Sequence, residues 1–198
     1  MILKDLFEKE PFNCEDLHPV GDLKSICASV TIYHEKTNKI FYLGGKSEEE
    51  RLDIISSFNL STMEFKQESK MKRVRSRFSG ALLGDCIYFY GGINNNDFSE
   101  NSLEKYDLSL NSSLIIPVVP CDQFGSPSNL IITSSFFFGT FFYHVGSKDD
   151  LMEMWKIDFT DQQKLKWIKV KIQQQVSPNV NKKFFFLLFF FFYFFFTF

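Results

Sequence analysis

The chain has 198 residues, 22 basic and 24 acidic, with a net charge of −2. That balance supplies no global field to favour nucleic acid or an acidic partner, and the length suits one domain of ordinary size. Cys14, Cys27, Cys86 and Cys121 form no CxxC pair, so buried reduced thiols are expected rather than a disulfide framework or a cysteine metal site.

Residues 1–20 are acidic and irregular, broken by Pro11 and Pro19, and residues 1–24 read as an amino-terminal arm or a short helix. The mixed, charged start of the chain, residues 1–8, lacks the apolar run of a secretory signal. A cytoplasmic protein is expected, and the sequons at Asn59 and Asn111 then carry no weight. From about residue 25 the pattern changes to short β-branched and aromatic runs bounded by Gly, Asn, Asp and Ser, which predicts an all-β fold. Four strands are expected near 27–34, 39–44, 53–60 and 63–69. Four more are expected near 78–83, 86–91, 102–108 and 112–119, and a last four near 129–138, 140–146, 151–159 and 165–172. Thr37-Asn38 and Gly84-Asp85 supply hairpin turns between first and second strands. Polar loops at 46–52, 93–101 and 147–150 join second strands to third.

A glycine pair follows a short apolar run twice. Ile40-Phe41-Tyr42-Leu43-Gly44-Gly45 and Ile87-Tyr88-Phe89-Tyr90-Gly91-Gly92 lie 47 positions apart, and Phe142-Tyr143-His144-Val145-Gly146-Ser147 is a weaker third copy. Such a period marks a repeat whose units are too small to bury a core alone. The glycines answer a physical need, since a strand that turns sharply out of a sheet needs positive φ and room for neighbouring backbone.

These residues resemble the kelch repeat, in which a glycine pair ends the second strand and a Tyr-Asp-like pair lies in the third. In that family an aromatic opens the fourth strand, and a Met and then an Arg follow in the connection to the next unit. The first repeat carries Gly44-Gly45, Phe58-Asn59, Phe65, Met71 and Arg75. The second carries Gly91-Gly92 and Tyr106-Asp107, with Ser113 where the aromatic belongs. The third carries Gly146-Ser147, Ile157-Asp158 and Trp167.

The resemblance implies a partial kelch-type β-propeller of about three four-stranded antiparallel blades, at about 25–75, 76–124 and 125–172. It also implies a non-enzymatic protein–protein interaction scaffold. In it Phe65 and Trp167 fill the space between blades, and Asp107 and Asp158 anchor turns. Propellers close with four to eight blades, so three imply truncation, missing blades, or self-association to close the propeller.

Residues 173–198 read as a linker and a low-complexity tail, with an unbroken Phe-rich run at 184–198. Thymine-rich non-coding sequence read as codons gives such a run, which suits a truncated gene-model product without function. A membrane-attached protein anchored by this tail is the competing reading, although fifteen residues fall short of the ~20 that span a bilayer as a helix.

Other motifs carry less chemistry. Gly44-Gly45-Lys46-Ser47 imitates the end of a P-loop, but Ile40 stands where the motif needs glycine, and Glu48-Glu49-Glu50 would repel phosphate. Lys70, Lys72, Arg73, Arg75 and Arg77 form a basic run that reads as a solvated connection containing one structural Arg; no nucleic-acid partner is expected. His18, His34 and His144 stand without ligand partners at metal spacing. A copper-oxidase-like enzyme, known among kelch-type propellers, finds no ligand set here, so no cofactor, metal or catalytic residue is expected. The candidate partner-binding residues are Glu48, Glu49, Glu50, Asn95, Asp97, Glu100, Asp149 and Asp150, on a polar, net acidic loop face that would take a basic or polar segment of an unidentified protein.

Overall fold

The computed structural model describes residues 27–48, 50–149, 151–161 and 163–172. The arm expected at 1–24, the tail at 173–198, and the candidates Glu49 and Asp150 lie outside the described residues.

The chain is all-β, with twelve strands in three four-stranded antiparallel sheets. The first sheet holds β1 (Val30–His34), β2 (Lys39–Leu43), β3 (Ile54–Asn59) and β4 (Glu64–Lys70). The second holds β5 (Ser79–Leu83), β6 (Cys86–Tyr90), β7 (Leu103–Asp107) and β8 (Ser112–Ile116). The third holds β9 (Ile131–Phe138), β10 (Phe141–Lys148), β11 (Leu151–Asp158) and β12 (Trp167–Val170). Each sheet is a simple up-and-down meander in chain order, with tight turns between the first and second strands and longer loops at 44–53 and 91–102. Asn38 (φ 51°), Gly84 (φ 58°), Asn111 (φ 49°) and Gly139 (φ 59°) sit at four of the turns. Glycine and asparagine enter the left-handed region at low cost.

Alternation along the strands gives each sheet two apolar faces, and one row of register partners recurs. It reads Tyr33, Ile40, Phe58 and Phe65 across the first sheet. Across the second it reads Leu82, Ile87, Tyr106 and Ser113, and across the third Phe137, Phe142, Ile157 and Trp167. The row of the second sheet faces the first sheet, where Ile87 and Tyr106 pack with Val30, Phe41, Leu43 and Ile55. The row of the third faces the second, where Phe142, Ile157 and Trp167 pack with Tyr88, Tyr90 and Leu103. Burying each such side chain is worth about 1.5–3 kcal/mol. The row of the first sheet has no sheet against it among the described residues, so Phe65 is half-buried on an end face, touching Tyr42, rather than filling a seam. Among the described residues no blade lies on its far side, because its row looks away from the second sheet.

The third repeat departs from the glycine-turn expectation. Gly44, Gly45, Gly91 and Gly92 all have positive φ, whereas Gly146 does not. β10 continues through Gly146 to Lys148, pairing Gly146 with Glu153 and Lys148 with Leu151. Ser147 stands where a second glycine would permit the turn, and a serine resists positive φ. The ladder therefore extends, with only a register shift against β9 between Val145 and Ser147. The loop expected at 147–150 is thus a hairpin turn beyond Lys148.

Candidate functional site

The glycine pairs meet at the junction of the first two sheets. A Cβ on Gly44 would lie 2.6 Å from Met71 Cε and 2.7 Å from the Arg75 carbonyl oxygen, and one on Gly92 would lie 2.7 Å from the Ser76 carbonyl oxygen. The connection that leaves the first sheet is thus laid directly on the bare glycine backbones, and Gly45 N–H donates to the Arg75 carbonyl at 3.0 Å. Gly91 has more room, with His144 3.8 Å from the position of a Cβ.

Arg75 is buried and turns its guanidinium into this junction. Nη1 donates to the carbonyls of Gly91 (3.1 Å) and Ser102 (3.2 Å), while Nη2 donates to Ser102 Oγ (2.9 Å) and Glu104 Oε2 (3.0 Å). The other Glu104 oxygen accepts from the Lys72 amide. Phe78 and Phe89 lie 5.8 and 5.4 Å from the guanidinium carbon. Burial works against both charges, pulling Arg75 down and Glu104 up from their ordinary values, and each charge pulls the other back toward ionisation. Glu104 and Ser102 escaped the sequence reading. The signal for Glu104 is period two, since it lies two residues before Tyr106 and so shares the buried face of β7; a carboxylate there needs a cation.

The loops beyond the glycines are tied to one another. Arg51 donates its backbone N–H to Asn95 Oδ1 at 3.0 Å and its Nη2 to Asp97 Oδ1 at 2.6 Å, and Ser99 Oγ donates to Asn129 Oδ1 at 2.7 Å. Glu100 accepts from Ser102 Oγ at 2.8 Å. Asn95 and Asp97 therefore hold loop against loop, while Glu100 bonds within its own loop. Glu48 and Glu50 are exposed, and their carboxylates form no ion pair among the described residues. Asp149, also exposed, occupies the β10–β11 turn with φ 49°.

At the other end of the sheets Asn59, Asp107 and Asp158 act on their own turns. Asn59 Oδ1 accepts from the amides of Ser61 and Thr62, Asp107 Oδ1 from Ser109 and Leu110, and Asp158 Oδ1 from Thr160. The Leu110 amide holds Asp107 below the usual carboxylate range, and the Thr160 hydroxyl, followed by its amide, does the same for Asp158.

Between the second and third sheets lies a cavity of about 20 Å³, lined by Tyr90, Gly91, Asn129, Thr133 and His144 among others. It is large enough for about one water. His144 Nδ1 lies 2.9 Å from Ser135 Oγ and 3.3 Å from Ser79 Oγ, a serine–histidine contact that invites comparison with an activated nucleophile. Burial drives the imidazole down to about 3, which makes it a poor base near neutrality, and the other rings packed on it are Tyr90 and Trp167. The geometry suits a neutral core histidine. Among the described residues, no group of three His, Cys, Asp or Glu side chains could hold a metal ion, and no helix is long and apolar enough to cross a membrane.

No protein-family model matches the chain, and no curated protein matches it.

Proposed function

We propose that the chain is a non-enzymatic protein–protein interaction scaffold of the kelch-propeller type, whose glycine-pair loop face docks a basic or polar segment of a partner protein. Three consecutive meanders support the propeller reading, as does their closest approach at the first strands β1, β5 and β9, the way blades converge on an axis. The observation that carries the binding reading is the latching of the loops through Arg51, Asn95 and Asp97. Loops held in place lose less entropy when a partner binds, and the exposed carboxylates of Glu48 and Glu50 supply charge that remains available. Free thiols at Cys27, Cys86 and Cys121 fit a reducing compartment, and the reading places the protein in the cytoplasm.

A selection of displayed random peptides on the full chain tests this. It should enrich Lys- and Arg-rich peptides whose affinity falls about tenfold, or 1.4 kcal/mol, in the double variant Glu48→Lys/Glu50→Lys and weakens with added salt. No enrichment, or peptides indifferent to the reversal, would count against the loop face.

A further inference from the structure

The repeat gives every sheet a backward side, toward the preceding sheet, and a forward side. In the second strands the backward pairs are Ile40 and Tyr42, Ile87 and Phe89, and Phe142 and His144. The forward pairs are Phe41 and Leu43, Tyr88 and Tyr90, and Tyr143 and Val145. Forward meets backward at both internal seams: Phe41 and Leu43 pack with Ile87 and Phe89, and Tyr88 and Tyr90 with Phe142 and His144.

Two faces are left without a described sheet against them. The backward face of the first sheet carries Ile40, Tyr42, Phe58 and Phe65, all half-buried, and Tyr33, 49% exposed. The forward face of the third carries Phe141, Tyr143 and Met154, half-buried, with Phe138 73% and Ile168 41% exposed. Contiguous exposed apolar faces mark interaction surfaces. One is a backward face and the other a forward face, the same combination that forms each internal seam.

Resting on the propeller reading above, we infer that the occupant of each end face is a second copy of this chain, joined forward face to backward face. Two copies then close a ring of six sheets through two equivalent junctions, within the four to eight blades that close propellers. The contact is heterologous, and it closes because half a ring of rotation returns the second copy to the first. The loops beyond β2 and β6 of both copies would share one end of that ring, doubling the acidic docking face.

Sedimentation equilibrium of the full chain at micromolar concentration is the test, with a dimer of twice 23.2 kDa expected. Tyr42→Glu and Tyr143→Glu each alter one end face and should each give monomers with an unchanged circular dichroism melt. Their equal mixture should dimerise again, because one junction then has both faces intact. Tyr33→Glu and Ile168→Glu, at more exposed positions, replace either variant that fails to fold. A monomeric wild type would overturn the ring, whether residues 1–26 or 173–198 cover the faces or nothing does. So would a dimer surviving either substitution, a mixture that stays monomeric, or a mass that grows without limit. A monomer that still binds basic peptides would sink the ring and spare the loop-face reading.

Discussion

The two internal seams close the same geometry with different chemistry. Between the first and second sheets, aliphatic and Phe side chains surround a buried ion pair, Arg75 with Glu104, which ties the connection, a glycine carbonyl and β7 together. Between the second and third, the connection offers no arginine, and aromatic bulk takes over: Tyr88, Tyr90, Phe142, Trp155 and Trp167 pack with His144 among them. Tyr90 Oη adds a hydrogen bond to the Pro127 carbonyl at 2.5 Å. A repeat position therefore specifies which way a side chain faces, while its neighbour decides what that side chain contributes.

The largest way to break the comparison is to orphan one charge of the ion-paired seam. Arg75→Ala leaves Glu104 buried without its cation and should cost about 3–5 kcal/mol, read as a lower urea midpoint. The double variant Arg75→Met/Glu104→Leu should recover part of that loss, since it removes the orphaned charge but still leaves the Gly91 and Ser102 carbonyls and the Lys72 amide without those partners. A double variant as unstable as the single one would mean that the loss comes from the hydrogen bonds the pair makes and not from an orphaned Glu104 charge.

Acid should loosen the aromatic seam instead. His144 falls from an ordinary value of 6.5 to about 3 in the fold, so between those values the unfolded chain binds the extra proton. Its contribution is complete above pH 6.5 and is lost as pH falls toward 3. Over pH 6.5 to 4.5, above most carboxylate titration, the loss should reach about 2 kcal/mol. Unfolding curves across that window should be flatter for His144→Leu than for the wild type. Equal slopes would mean that His144 is not the group that titrates.

Much of this architecture was legible in the sequence, because alternation and glycine, asparagine and aspartate turns are local signals. The strand positions followed from them, and the spacing of Gly44 and Gly91 set the repeat. What escaped depends on partners distant in the chain. Arg75 could be singled out, but its acceptor, Glu104, lies 29 positions away on a strand whose charged residues read as solvated. Asn95 and Asp97 read as available for a partner because Arg51, a lone cation beside three glutamates, gave no sign of reaching across to them. Gly146 read as a turn because its neighbourhood matches the repeat, yet Ser147 removes the second positive-φ site and lets the strand run on. Ser113 shows the same limit: it is buried in the row that holds Phe65 and Trp167 elsewhere, and its hydroxyl has no hydrogen-bond partner among the described residues.

Equivalent row positions differ in weight according to whether a sheet lies against them. Phe65 and Trp167 open the fourth strands of the first and third sheets, the one on an end face and the other 2% exposed in a seam. Urea unfolding of Phe65→Ala and Trp167→Ala, at concentrations low enough to keep the chain monomeric, tests the claim most directly. Trp167→Ala should lose about 3–5 kcal/mol, and Phe65→Ala, whose side chain is only partly withdrawn from water, below about 1 kcal/mol. Equal losses at the two positions would contradict it.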